Sequence, residues 1–195
     1  MPNPDAHPVS RTAIAAAHML EKLEPGPLAE LRRMDISAGA AGFWRLAAQH
    51  PATINDKSLK DWMTIVRILA ILTPKGDPAE RKLLHDPKRR LGAVLCDGGN
   101  PNWPNSNPLR PVLSEQRLAR LMATKGKQRR GLLRRAVSAI SRTRQPDSGV
   151  NVADIAWTLL DSDIGRTGRS IAEHYYRRLD RAERNQQTNQ EGAKE

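Results

Sequence analysis

Apolar residues along this chain recur at spacings of three and four rather than alternate, so the elements it predicts are helices and no strand stands out. After a proline-rich opening expected to be loose, Ala13, Ile14, Ala17, Leu20 and Leu23 make one stripe, which Pro25, Gly26 and Pro27 are expected to end. Leu28, Leu31 and Met34 predict a short helix carrying Arg32 and Arg33. A second short helix surrounds Phe43, Trp44 and Leu46 and stops at Pro51. Ser58 stands as N-cap to the clearest helix of the first half, where Trp62, Ile65, Val66, Leu69 and Leu72 repeat at helical spacing.

Pro74, Gly76 and Pro78 form a connector, and Arg81, Lys82, Lys88, Arg89 and Arg90 crowd around one or two short helices ending near Leu95. Residues 97–111 hold four prolines, two glycines and four asparagines, a composition that predicts an exposed loop and a domain boundary. Beyond it, Ser114 opens a helix through Met122, and a longer one from about Gln128 to Arg142 buries Leu133, Val137 and Ile140. Val152, Ile155, Ala156, Leu159 and Leu160 make the next stripe, and Ile171, Tyr175 and Leu179 line one side of the last helix. The expected architecture is all-α: two small helical bundles, 1–96 and 112–184, joined by the Pro/Asn-rich loop 97–111. Residues 185–195, polar and unpatterned, are expected to be a disordered tail.

Composition narrows the class. Of 195 residues 27% are charged and 38% hydrophobic, enough to bury a core, and 32 Lys+Arg against 21 Asp+Glu leave a net charge of +11. No apolar run is long enough to span a membrane and the first residues lack a signal pattern, so a cytoplasmic protein is expected. The single Cys96 excludes an intrachain disulfide and a cysteine zinc module.

The charge is concentrated. Between Arg110 and Arg144 eleven basic residues face the single acid Glu115, a net +10 that is nearly the whole excess. On the longer helix Lys127, Arg130 and Arg134 share a face, and Arg135 lies on another. Like charges so placed repel by a few tenths of a kcal/mol per pair, roughly, and a polyanion is their natural compensation. A solvated basic surface without a partner is the competing reading. Few aromatics argue against base stacking, so sequence-independent phosphate contacts are expected. The run Gly165-Arg166-Thr167-Gly168-Arg169 ahead of the last helix offers a second phosphate seat, with a capped turn as its plain alternative.

Catalytic machinery is not recognisable. The five histidines show no metal-ligand spacing, the acids form no paired set, and no phosphate-cradling glycine loop is present, so neither enzyme activity nor a cofactor or metal is expected.

Two segments carry a resemblance. Gly26-Pro27-Leu28-Ala29-Glu30-Leu31-Arg32-Arg33 followed by Phe43-Trp44-Arg45-Leu46 resembles the N-terminal signature of the small subunit of the type I-E CRISPR Cascade complex. Leu91-Gly92-Ala93-Val94-Leu95 ahead of Leu113-Ser114-Glu115-Gln116-Arg117-Leu118-Ala119-Arg120-Leu121 resembles its central signature. The resemblance implies a non-catalytic subunit that joins Cascade as a dimer, contacts other subunits and the guide RNA complex, and holds target and displaced DNA strands to stabilise the R-loop. By position, Arg33, Lys60, Arg117, Arg166 and Arg169 match places where the family presents basic residues to DNA, while Lys127, Arg130, Arg134 and Arg135 rest on composition. The insert 98–108 and the tail depart from the family pattern. The alternative is a free-standing helical nucleic-acid-binding protein, a regulator or architectural factor, although basic helices built with Leu and Ala favour backbone contact over base reading.

Overall fold

The computed structural model describes residues 7–104, 109–161 and 165–191, with side chains through 188. Among them are nine α-helices and no strand: α1 (Pro8–Glu21), α2 (Pro25–Arg33), α3 (Ala41–Gln49), α4 (Leu59–Leu72), α5 (Leu91–Asp97), α6 (Glu115–Ala123), α7 (Gly126–Thr143), α8 (Val152–Leu160) and α9 (Gly165–Glu191). The all-α expectation is met.

Proline placement differs from the sequence reading for one reason. Pro25 does not merely stop α1; it begins α2, because a residue lacking an N–H costs nothing at the first helical position. Pro8 opens α1 in the same way, and His7 caps that helix by accepting from Val9 N at 3.2 Å. Ser58 precedes α4, but its hydroxyl donates to Thr53 O at 3.0 Å rather than capping the helix.

Helices from both sides of residues 97–111 share one buried cluster. α1 packs on α8, α4 on α7 and α2, and α5 along α9. Leu20, Trp62, Leu95, Val137, Ile155 and Tyr175 all belong to it. The two bundles expected from the sequence are therefore not seen as separately cored units. The predicted exposed loop is also pinned where it is described: Val112 N and Leu113 N donate to Cys96 O and Leu95 O, and Trp103 and Leu113 are buried. Residues 105–108 of the insert, and 192–195 of the expected tail, lie outside the described residues. Residues 185–191 continue α9 as helix.

α5 can lie along α9 because Gly92 faces it without a side chain; a Cβ there would stand 2.1 Å from Ile171 O. Gly98 then ends α5 in the left-handed conformation (φ 67°) that only glycine adopts at little cost. At the start of the same helix the Asp154 carboxylate accepts from Leu91 N (3.0 Å) and pairs with Arg90 (2.8 Å).

Four arginines finish other helices. The last turns of a helix carry unsatisfied carbonyls and a partial negative charge, which a guanidinium satisfies. Arg81 donates to Glu21 O (3.0 Å) and Leu23 O (2.5 Å) at the end of α1. Arg32 donates to Ala70 O (2.8 Å) and Thr73 O (2.7 Å), and Arg144 to Leu72 O (2.6 Å), both at the end of α4. Arg129 donates from α7 to Thr158 O (3.3 Å) and Asp161 O (3.0 Å) at the end of α8, and to Thr124 O (2.7 Å) before its own helix. Burial holds the Arg32, Arg129 and Arg144 guanidinium groups below their ordinary pKa.

Candidate nucleic-acid interface

The packing of α4 on α7 decides which cations face outward. α4 buries almost its whole girth, from Trp62 through Leu72, and leaves Lys60, Asp61 and Arg67 at its surface. Lys60 and Arg67 are seven apart and so lie on one stripe, two turns from each other. α7 buries Arg129, Leu133, Ala136, Val137 and Ile140, and turns Lys127, Arg134 and Arg135 to solvent with Arg130 half-buried.

Across the seam Arg130 Nη1 meets Asp61 Oδ1 at 2.7 Å. Arg134 stands near enough to Arg67 that, after burial, its charge is the next cause holding the Arg67 guanidinium below its ordinary pKa; Asp35 partly offsets this. Arg67 Nε in turn donates to Arg32 O at 3.2 Å, in the last turn of α2, beside the exposed Arg33. A continuous ridge results, running from Lys60 and Arg130 through Arg134 and Arg67 to Arg33. Asp61, paired with Arg130, and Asp35, near Arg67, lie along it.

The structure thus brings together Arg33 of α2, Lys60 of α4 and Arg130 and Arg134 of α7, three distant places in the sequence. The link between them is Arg67, which charge-window reasoning passed over; its spacing from Lys60 was the available signal. Other expected residues lie elsewhere. Arg117 is exposed on α6, and Arg166 and Arg169 are exposed in the first turns of α9, where Thr167 donates to Asp161 Oδ2 at 2.8 Å. Among the described residues no hydrogen bond or ion pair joins these three to the ridge. The window from Arg110 to Arg144 also contributes less surface charge than its composition suggests, because Arg129 and Arg144 serve the helix ends.

Among the described residues no cluster of His, Cys, Asp and Glu could hold a metal ion. Cys96 is buried, and burial pushes its thiol up to about 12, too high for a nucleophile at neutral pH. No helix among the described residues is long and apolar enough to cross a membrane.

Residues 27–176 match the family described as CRISPR-associated protein Cse2. The chain belongs to that family. No curated protein and no solved structure matches it at a significant level. Cse2 is the small subunit of type I-E Cascade, so the resemblance carried by the two signature segments holds, and the family implies a CRISPR Cascade subunit in defence. The matched span runs from the second residue of the first signature to the middle of α9, and so includes every residue of the ridge.

Proposed function

We propose that this Cse2 subunit holds the target and displaced DNA strands of the R-loop against the ridge Lys60–Arg130–Arg134–Arg67–Arg33, with Arg117, Arg166 and Arg169 as further phosphate contacts. The single observation that carries the reading is the Arg67–Arg134 juxtaposition. Two guanidinium groups brought close, and only partly offset by Asp35, are an electrostatic cost that a polyanion offsets. Contacts of this kind fix position on a strand and carry no sequence information, which the guide RNA supplies. The subunit sits among other Cascade subunits and beside the guide RNA complex, as a dimer, in the cytoplasm.

The test is R-loop lifetime in assembled Cascade carrying Arg33→Glu, Lys60→Glu and Arg134→Glu together. Faster strand reannealing with unchanged complex assembly is the expected result. An unchanged R-loop lifetime overturns the assignment of the ridge, and recovery of the protein free of other Cascade subunits favours the free-standing binding protein instead.

A further inference from the structure

A second cationic site lies away from the ridge, where α9 passes the segment after α5. There Arg89, Asn102, Trp103, Arg178, Arg181 and Asn185 line a cleft of about 650 Å³, in the size range of small-ligand pockets. Two of its arginines are held in place by one carboxylate. The fully buried Asp97 accepts from Arg89 Nη2 (3.1 Å) and Arg178 Nε (2.8 Å), and its Oδ1 also accepts from Gly99 N (2.9 Å). Arg178 is further fixed by donating to Pro101 O (3.1 Å) and Trp103 O (2.8 Å), with its guanidinium carbon 5.4 Å from the centre of the Trp103 ring. Arg181, one turn along α9, is exposed and makes no ion pair among the described residues. Three guanidinium groups against one carboxylate leave two positive charges in excess, and among the described residues no acid lines the cleft.

We propose that this cleft binds a sugar-phosphate segment of a single-stranded nucleic acid, with Arg181 on the phosphate, the fixed Arg178 guanidinium behind it as background positive charge, Trp103 as the apolar wall, and the Asn102 and Asn185 amides at the base edges. This rests on the reading of the chain as a nucleic-acid-binding Cascade subunit and adds a site to it. The chemistry favours a single strand because the space admits a nucleotide and not a duplex, and because preorganised guanidinium groups beside an aromatic wall are the usual means of holding a strand without reading its sequence. Arg178, Arg181 and Asn185 lie beyond the matched span 27–176, so the family match does not supply the cleft.

The experiment measures binding of the full chain to labelled oligothymidylate and oligouridylate, each of roughly twelve nucleotides. It uses the wild type, Arg181→Glu, Arg181→Ala and the ridge variant Arg134→Glu. Arg181→Glu is expected to weaken single-strand binding roughly tenfold at low salt and Arg181→Ala less, lowering the salt slope by about 0.7 per phosphate lost. Both should leave the thermal unfolding midpoint unchanged. Weakening by Arg134→Glu but by neither Arg181 variant overturns the cleft and leaves the ridge standing. Weakening by the Arg181 variants alone supports the cleft and overturns the ridge. No effect of any variant overturns both. The two oligonucleotides separate the sources: preference for thymidylate assigns the cleft to a DNA strand, and preference for uridylate to RNA.

Discussion

Compared with the ridge along α4 and α7, the arginines at the helix ends hold the same guanidinium group in the opposite setting. Arg129 and Arg134 are five residues apart on one helix, yet Arg129 is buried against three carbonyls while Arg134 faces solvent near another cation. The difference is whether an unfinished helix end lies within reach. At such an end partial negative charge and free acceptors replace the water the guanidinium gives up. On the ridge, among the described residues, the compensation comes from Asp61, Asp35 and the one carbonyl that Arg67 reaches at the end of α2, and Arg134 and Lys60 project outward. Charge counted along a sequence therefore mixes two kinds of arginine, and only one is available to a polyanion.

That contrast can be broken most sharply at Asp97, where two inward cations depend on one carboxylate. Asp97→Ala leaves Arg89 and Arg178 largely buried without it and is expected to cost about 3–5 kcal/mol of stability in urea unfolding. A cost below about 1 kcal/mol would place this cluster with ordinary surface pairs. Next in size is Arg129→Ala, which frees the carbonyls ending α8. About 3 kcal/mol is expected, with nucleic-acid affinity lost only in proportion to the unfolded fraction.

Arg134→Glu should do the reverse, changing stability by less than about 0.5 kcal/mol while lowering strand affinity roughly tenfold. If its unfolding midpoint fell as far as that of Arg129→Ala, the division into inward and outward arginines would not stand. The smallest effect is expected from Arg117→Ala, exposed on α6 and away from the ridge. Its signature is a fall in the salt slope of about 0.9 on duplex or 0.7 on single strand, with stability unchanged. An unaltered slope would remove Arg117 from the interface.

The helices were legible because their apolar spacing is a local property, and Trp62, Ile65, Leu69, Tyr175 and Leu179 are buried as their stripes require. Pro25 was misread as a stop alone because a proline has the same composition on either side of a helix boundary. The shared core was not legible, since nothing in residues 97–111 announces that Leu113 O will accept from the Tyr175 hydroxyl (2.6 Å) or that Trp103 will be covered. Of the site residues, Lys127, Arg130, Arg134 and Arg135 could be placed on α7 by counting. Their meeting with Lys60 and Arg67 needed the α4–α7 packing, and the inward fate of Arg129 and Arg144 needed the carbonyls of α8 and α4. These are contacts across long stretches of chain, invisible to any window.

The helix-end arginines also set the order in which the chain can acquire structure. Arg32 reaches its acceptors on α4 across 38 and 41 residues, Arg81 reaches Glu21 across 60, and Arg144 reaches Leu72 across 72. Such separations raise the contact order, so loop closure must precede the gain from each bond. During synthesis α4 emerges with Arg32 already available to two of its last acceptors but long before Arg144, so the Leu72 carbonyl waits until α7 has been made. Severing the chain within 97–111 strands α4 without Arg144 and α1 without α8, so neither fragment should fold alone, and the intact protein should refold in one cooperative step.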